Sequence, residues 1–184
     1  MKHRINYCKR TLKHIHKVHF NMLHIIEYGE NLLKRFNVDS RSLMYQVMKH
    51  DRSKFNDVQF FAYADYFNGT QPPSDTTKKE FQLACENHKH NENHHFEGQR
   101  YMRPENIIEM VCDWQAMAQE FGEGTCEKYY NEKWTKQYLD YYKVAGFSQG
   151  YAGNYTDDYE YSMMETIISE CIAIFKKHPI AEDR

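Results

Sequence analysis

The chain has 184 residues, a length typical of one globular domain that buries its own core. Hydrophobic residues make up 41% and charged residues 27%, which excludes a disordered or fibrous protein. Lysine and arginine number 24 against 26 aspartates and glutamates, so a protein that binds extended nucleic acid through a basic face is not expected.

The first part of the sequence has apolar side chains at three- and four-residue steps, the spacing of an amphipathic helix. This spacing predicts a long first helix whose inner series is Leu12, Ile15, Val18, His19, Met22, Leu23 and Ile26. The pair Asp39-Ser40 is a cap signal and predicts that a second helix begins there. Val47 and His50 are expected on the inner face of that second helix.

A third helix is predicted over residues 57–67, before the helix-breaking run at 68–73. Ser74 or Asp75 is expected to cap a fourth helix. The following segment, residues 86–102, is polar and rich in histidine and asparagine, which predicts a loop or a broken helix.

Pro104 suits the first turn of a fifth helix, and Gly122 and Gly124 are expected to end it. A sixth helix is predicted over residues 126–144 and a last one over residues 157–177. No segment shows the alternation of a convincing strand. The sequence therefore predicts an all-α fold, a single-domain bundle of about six or seven helices.

Membrane and disulfide chemistry are not expected. No apolar run approaches the roughly 18–20 residues that cross a membrane. The basic stretch at residues 1–17 is not followed by the apolar segment of a secretory signal. The five cysteines are scattered without a CxxC pair, which predicts reduced thiols and a cytoplasmic location; they are Cys8, Cys85, Cys112, Cys126 and Cys171.

Histidine is the unusual residue of this composition, with 11 copies. Imidazoles and carboxylates that could carry chemistry lie on at least four segments, and together they suit Fe, Mn, Co or Zn. They are His16, His50, Asp51, His88, His94, His95 and Asp113. These groups exceed one tetrahedral site, so their convergence would favour two ions about 3.5–4 Å apart, with an aspartate able to bridge them.

Lys54 is expected one helical turn beyond His50, where its ammonium could hold a phosphate group beside a metal. Arg52 or Arg100 could assist it. A structural alternative is that His50 is a buried histidine paired with a neighbouring carboxylate. Asp113 could likewise pair with an Arg or Lys, and Glu109 could support the site or be merely exposed.

The run MKHDRSKF around His50 resembles the HD-x-x-K signature of the HD-domain superfamily of metal-dependent hydrolases. The order H…HD…H…HH…D is similar to the two-metal version of this superfamily, found in cyclic-di-GMP phosphodiesterases and di-iron oxygenases. The more detailed run, through residues 93–95 and 109–114, is similar to a family of small uncharacterised bacterial and phage proteins. The glycine-tyrosine-proline run of the cyclic-di-GMP branch is replaced here by residues 96–101, so cyclic-di-GMP is not the expected substrate.

This resemblance implies an HD-like helical domain with a metal-site core at about residues 12–121 and a tyrosine-rich helical extension at about 126–178. His16 is favoured as the first ligand because of its spacing from His50, although His14, His19 and His24 lie on the same helix. Lys54, Asp51 and Arg52 would act on the substrate.

Three functions are compatible with the sequence. The leading hypothesis is a metal-dependent phosphohydrolase that attacks a nucleotide or other small phosphoester with a metal-bound hydroxide, using one or two divalent ions. The second is an HD-type di-iron oxygenase that uses O₂. The third is a non-catalytic helical module that binds a nucleotide or a protein, and a homodimer is compatible with each of the three.

Overall fold

A computed structural model of the chain describes residues 2–96, 102–134 and 156–180. These residues form helices and turns without a strand, which confirms the all-α prediction. The helices are α1 (Lys2–Tyr28), α2 (Glu30–Arg35), α3 (Ser40–Val47), α4 (Asp57–Asn68), α5 (Asp75–Asn91), α6 (Pro104–Phe121), α7 (Glu127–Tyr129) and α8 (Thr156–Lys177). A 3₁₀ turn, Arg52–Phe55, precedes α4, and a π-helical turn, Tyr130–Trp134, continues α7.

The helix ends follow the cap signals of the sequence. The Asp39 carboxylate accepts a hydrogen bond from the Ser42 amide at 3.2 Å, and Ser74 Oγ accepts one from the Thr77 amide at 3.1 Å. Pro104 stands at the first position of α6. Gly122 ends that helix with φ at +70°, a conformation that glycine adopts without steric cost.

The segment at residues 86–102 was expected to be a loop or a broken helix, and α5 continues into it as far as Asn91, where the extended backbone of Glu92 breaks the helix. Hydrogen bonds such as that from Asn91 Nδ2 to the Asn87 carbonyl support this polar stretch. One boundary prediction is wrong. α3 ends at Val47, so His50 lies beyond the helix on which it was expected. The predicted sixth helix includes α7 and its π turn, and its residues 135–144 lie outside the described residues.

One hydrophobic core joins the N-terminal, central and C-terminal helices. Most of its fully buried members come from α1, α6 and α8, and include Val18, Met22, Ile25, Ile107, Ile108, Val111, Met164, Ile167 and Ile168. The C-terminal helix is therefore part of the same core as the helices that carry the predicted site. Tyr7, Ala62, Tyr63, Ala64 and Ala84 form a smaller cluster between α1, α4 and α5.

Within the described residues, none of the helices combines the length and the apolar composition that crossing a membrane requires.

Candidate metal centre

Imidazoles from three parts of the chain converge on the carboxylate of Asp51, which is 1% exposed. On one side, His88 Nε2 and His94 Nε2 lie 3.1 and 3.9 Å from Asp51 Oδ1. On the other side, His14 Nε2 and His50 Nε2 each lie 3.7 Å from Asp51 Oδ2. The two oxygens of one carboxylate thus face two different pairs of histidines.

Asp113 on α6 supplies a second carboxylate to one side of the cluster. Its Oδ1 lies 2.8 Å from His14 Nε2 and 3.9 Å from His50 Nε2. Potential ligand atoms of His14, His50 and Asp113 all lie within 4.8 Å of one another. This spacing suits a single divalent ion bound by two imidazoles and a carboxylate.

A second group of the same compactness lies on the other side of Asp51. Ligand atoms of His88, His94 and His95 also lie within 4.8 Å of one another. His88 is on α5, whereas His94 and His95 follow the end of that helix, where the extended backbone of Glu92 breaks the helical geometry. This break in the helix allows the adjacent side chains of His94 and His95 both to lie close to His88. On a regular helix, adjacent side chains would point in different directions.

The backbone at Asp51 explains how its carboxylate reaches the centre of the cluster. α3 ends at Val47 and a turn follows, and Asp51 itself has φ at +58° in the left-handed region. A non-glycine residue in this region is uncommon, and such backbone strain concentrates at functional sites. This turn, with Asp51 in the left-handed conformation, directs the side chains of His50 and Asp51 into the same buried space.

The outer nitrogens of these histidines are held by other side chains. His50 Nδ1 donates to Glu109 Oε1 at 2.9 Å, and His14 Nδ1 donates to Glu120 Oε1 at 2.8 Å. His88 Nδ1 lies 3.0 Å from Ser53 Oγ. In its neutral form, a histidine whose Nδ1–H is held in this way presents the lone pair of Nε2, and this arrangement is general among metal-binding histidines.

Glu109 is itself fixed, because Gln46 Nε2 donates to its second oxygen at 2.6 Å. It is 3% exposed and lies 3.5 Å from His94 Nδ1 as well as bonding His50. Glu109 therefore holds His50 by a hydrogen bond and lies beside His94 on the other side of Asp51, and it is not a surface residue.

The charges of the cluster act strongly on one another. Burial would raise the pKa of Asp51, but the charges of Lys54 and His50 hold it well below its usual range. Burial likewise would raise the pKa of Asp113, and the hydrogen bond from His14 lowers it instead. Burial lowers the pKa of His14, yet its bonds to Asp113 and Glu120 outweigh that effect and raise the pKa to about 9. The carboxylates are thus ionised and attract positive charge.

Several buried polar atoms of the cluster lack a hydrogen-bond partner among the described residues. They are His50 Nε2, Asp51 Oδ1, His88 Nε2 and both ring nitrogens of His94. Burial lowers the pKa of His94 well below its ordinary value, so this imidazole is neutral and offers a lone pair. Unpaired polar atoms at such depth are costly, and divalent ions are the partners that neutral imidazoles and carboxylates share. These residues fit a pair of divalent ions.

Lys54 Nζ lies 2.5 Å from Asp51 Oδ2, and Lys54 belongs to the 3₁₀ turn that directly follows Asp51. The prediction that Lys54 follows His50 by one turn on the same helix is therefore wrong, although the Lys54 side chain does reach the site. Burial would lower the pKa of Lys54, and the charge of Asp51 raises it, so the side chain is an ammonium.

A cavity of about 360 Å³ opens over the cluster. His14, Asp51, His88, His95 and Asp113 line one part of it. Its walls carry the cationic side chains Arg10, Lys54 and Lys89, together with an apolar surface to which Phe67, Met110, Trp114, Met117 and Tyr129 contribute. The cavity is large enough for a small organic ligand.

A family of unknown function, DUF5662, matches residues 3–162. The chain belongs to this family. The matched part contains every residue of the cluster and of the side chains that support it. No curated protein and no solved structure matches the chain.

Six of the seven predicted ligands come together in this DUF5662 protein, and the seventh, His16, is wrong. His16 is exposed and packs against Phe20 at 4.7 Å between ring centroids. Two residues correspond to a rotation of about 200° around a helix, so His14 and His16 cannot face the same site. His14 takes the position that His16 was expected to hold.

The predicted role of Arg52 is also not supported, because its side chain is exposed and does not line the cavity. The turn that directs Asp51 inward leaves its neighbour facing outward. Arg100, the alternative, lies outside the described residues. Arg10 on α1 lines the cavity and was not predicted.

Glu120 is a further part of the DUF5662 site that was not predicted. It lies two turns beyond Asp113 on α6, and this seven-residue spacing on one helix face is the signal that could have found it. Its role is to hold His14, and Arg10 Nε lies 3.8 Å from its other oxygen.

Proposed function

We propose that this DUF5662 protein is a metal-dependent phosphohydrolase of the HD type that acts on a small phosphorylated substrate such as a nucleotide. The observation that carries this proposal is the position of Asp51 between two groups of histidines, with its two oxygens directed to opposite sides. The order of these residues along the chain also resembles that of the two-metal HD hydrolases.

The residues divide into two sets of ligands around a shared carboxylate. His14, His50 and Asp113 would hold one ion, and His88, His94 and His95 the other, with Asp51 common to both. Ions bound there would polarise a phosphoryl oxygen and lower the pKa of a water molecule towards ~7. The ligand types suit Fe, Mn, Co or Zn.

The chain's own groups provide the remaining requirements of phosphoryl transfer. Lys54 is held at Asp51 with its ammonium lining the cavity, where it can bind a non-bridging phosphate oxygen. Glu109 and Glu120 keep His50 and His14 in the orientation that the ligands need, so little reorganisation is required when the substrate binds.

The wall of the cavity favours an organic phosphate over a bare inorganic ion. Trp114, Tyr129 and Phe67 line it together with the cationic side chains. Aromatic rings stack on nucleobases, and their combination with cations near a phosphate site is compatible with a nucleotide.

The test is hydrolysis of a panel of phosphoesters and nucleotides by protein reconstituted with each candidate metal. We expect release of phosphate from at least one monoester or nucleotide, with loss of activity in Asp51→Ala and after chelation. Glu123→Gln is the control, because Glu123 pairs with Lys128 at the surface, away from the cluster.

Two results would overturn this proposal. The first is hydrolysis that persists in metal-free protein. The second is a protein purified without oxygen that contains iron and consumes O₂ when substrate is added, which would indicate the oxygenase chemistry of the same ligand set.

A further inference from the structure

Tyr7 has an unusual environment for a tyrosine hydroxyl. The residue is 3% exposed, and its ring packs between Tyr63, at 6.0 Å, and Phe60, at 5.4 Å. The hydroxyl makes no well-aligned hydrogen bond among residues 2–96, 102–134 and 156–180, and the side chain with which it interacts is that of Thr11, one turn further along α1. Tyr7 nevertheless lines the cavity above the metal ligands. A buried hydroxyl without a partner is costly unless a ligand satisfies it.

The position of Tyr7 on α1 relates it directly to the metal ligand His14. The two residues are seven apart, which places them two turns apart on one face of the helix. Arg10 and Thr11 lie between them, and all four line the cavity. This face of α1 therefore leads from the ligand His14 to a series of groups that can donate hydrogen bonds.

Two cationic side chains, those of Arg10 and Lys54, line the same cavity as Tyr7. Burial raises the pKa of Tyr7, whereas the interaction with Thr11 and the charges of Lys54 and Arg10 lower it. Arg10 is held over the ring of Phe67, at 5.0 Å from the centroid, and its Nε lies 3.8 Å from Glu120 Oε2. That distance exceeds a hydrogen bond, so this ion pair does not use the Nε–H donor.

We propose that Tyr7 and Arg10 bind the non-bridging oxygens of a dianionic terminal phosphate, next to Lys54. This inference rests on the proposed function and specifies its substrate class as a phosphate monoester. A monoester presents three terminal oxygens and two negative charges, whereas a diester presents two such oxygens and one charge. A neutral hydroxyl donor with two cations matches the monoester better.

The test is calorimetric titration of inorganic phosphate into the metal-loaded protein, with metal content measured on each sample. Tyr7→Phe removes only the hydroxyl, and we expect it to weaken phosphate binding about tenfold with unchanged metal content. Arg10→Gln should weaken it to a similar or greater degree. Tyr66→Phe is the matched control, since Tyr66 stacks on Phe81 outside the cavity lining and should bind phosphate as the wild type does.

Wild-type phosphate affinity in both Tyr7→Phe and Arg10→Gln would overturn the inference. A bis(p-nitrophenyl) phosphate diester that competes with phosphate equally well in the wild type and in Tyr7→Phe would overturn the monoester assignment.

This binding test is independent of turnover. Weakened phosphate binding in Tyr7→Phe supports the anion site even if the wild type hydrolyses none of the panel, a result that would remove the proposed function alone. Hydrolysis by the wild type, together with unchanged phosphate affinity in both variants, would remove this inference alone.

Discussion

His50 and Glu109 share a hydrogen bond of 2.9 Å between Nδ1 and Oε1, and both side chains are almost wholly inaccessible to solvent. The bond fixes the ring so that Nε2 faces Asp51. We therefore expect Glu109→Gln to bind metal about 10–100-fold more weakly than the wild type, because the amide is a poorer acceptor and carries no charge. Competition with a chelator of known affinity measures this change.

Glu105→Gln is the control for that substitution. Glu105 lies one turn earlier on α6 and is 9% exposed, and its Oε1 accepts a hydrogen bond from Arg103 Nη2 at 3.3 Å. Metal affinity of Glu105→Gln should equal that of the wild type. An equal loss of metal affinity in both variants would show that the substitutions disturb α6, and it would contradict the role of Glu109 in holding His50.

A second prediction separates two histidines of α1. His14→Ala should lose metal from the group that contains His50 and Asp113, because His14 Nε2 belongs to that group. His16→Ala should retain the full metal content, since its side chain is exposed. Metal analysis of the two purified variants decides this, and the reverse result would show that α1 is rotated about its axis relative to the structure described here.

A third prediction concerns stability. Asp51, Asp113, Glu109 and Glu120 place four carboxylates in one buried cluster, and bound cations reduce their mutual repulsion. Chelation should lower the melting temperature, and metal at 100 times its dissociation constant should stabilise the fold by about 2.7 kcal/mol. Thermal denaturation with and without chelator measures it. The Asp51→Ala variant should show no response to added metal, and a full response there would contradict the assignment.

A fourth prediction concerns the thiols. Burial raises the pKa of Cys112 and Cys171 well above the ordinary thiol value and that of Cys126 to about 12. These groups stay protonated through neutral pH, and a thiol reacts as its thiolate. A disulfide reagent at pH 8 should therefore label the native protein fastest at the partly exposed Cys8, more slowly at Cys85, whose pKa burial also raises, and slowest at these three, with all five reacting after denaturation. Fast labelling of Cys112 in the native protein would contradict the described core.

The periodic signal predicted that α1 is a helix but did not give its rotation about the axis. Leu12 entered the expected inner series, yet it is 54% exposed, whereas the buried face carries Thr11, His14 and Val18. The side chain of Leu12 lies at the protein surface and is not part of the core. Because five histidines lie on this helix, only packing against α6 decides which one reaches Asp113.

The residue types of the site were predictable, whereas its supports were not. Asp51 and His50 could be recognised because an adjacent histidine and aspartate leave a pattern in the sequence. The left-handed backbone of Asp51 leaves no such mark, since aspartate also adopts ordinary conformations. Glu120 contacts His14, which is distant in the sequence, and Tyr7 lines a cavity that several helices form. Their roles therefore depend on the tertiary structure.

The shared position of Asp51 is tested most directly by the metal-to-protein ratio of three reconstituted proteins. We predict about two ions per chain in the wild type, about one in Asp113→Ala and almost none in Asp51→Ala. A wild type that binds no metal in stoichiometric amount, or an Asp51→Ala variant that binds as much metal as the wild type, would contradict this prediction.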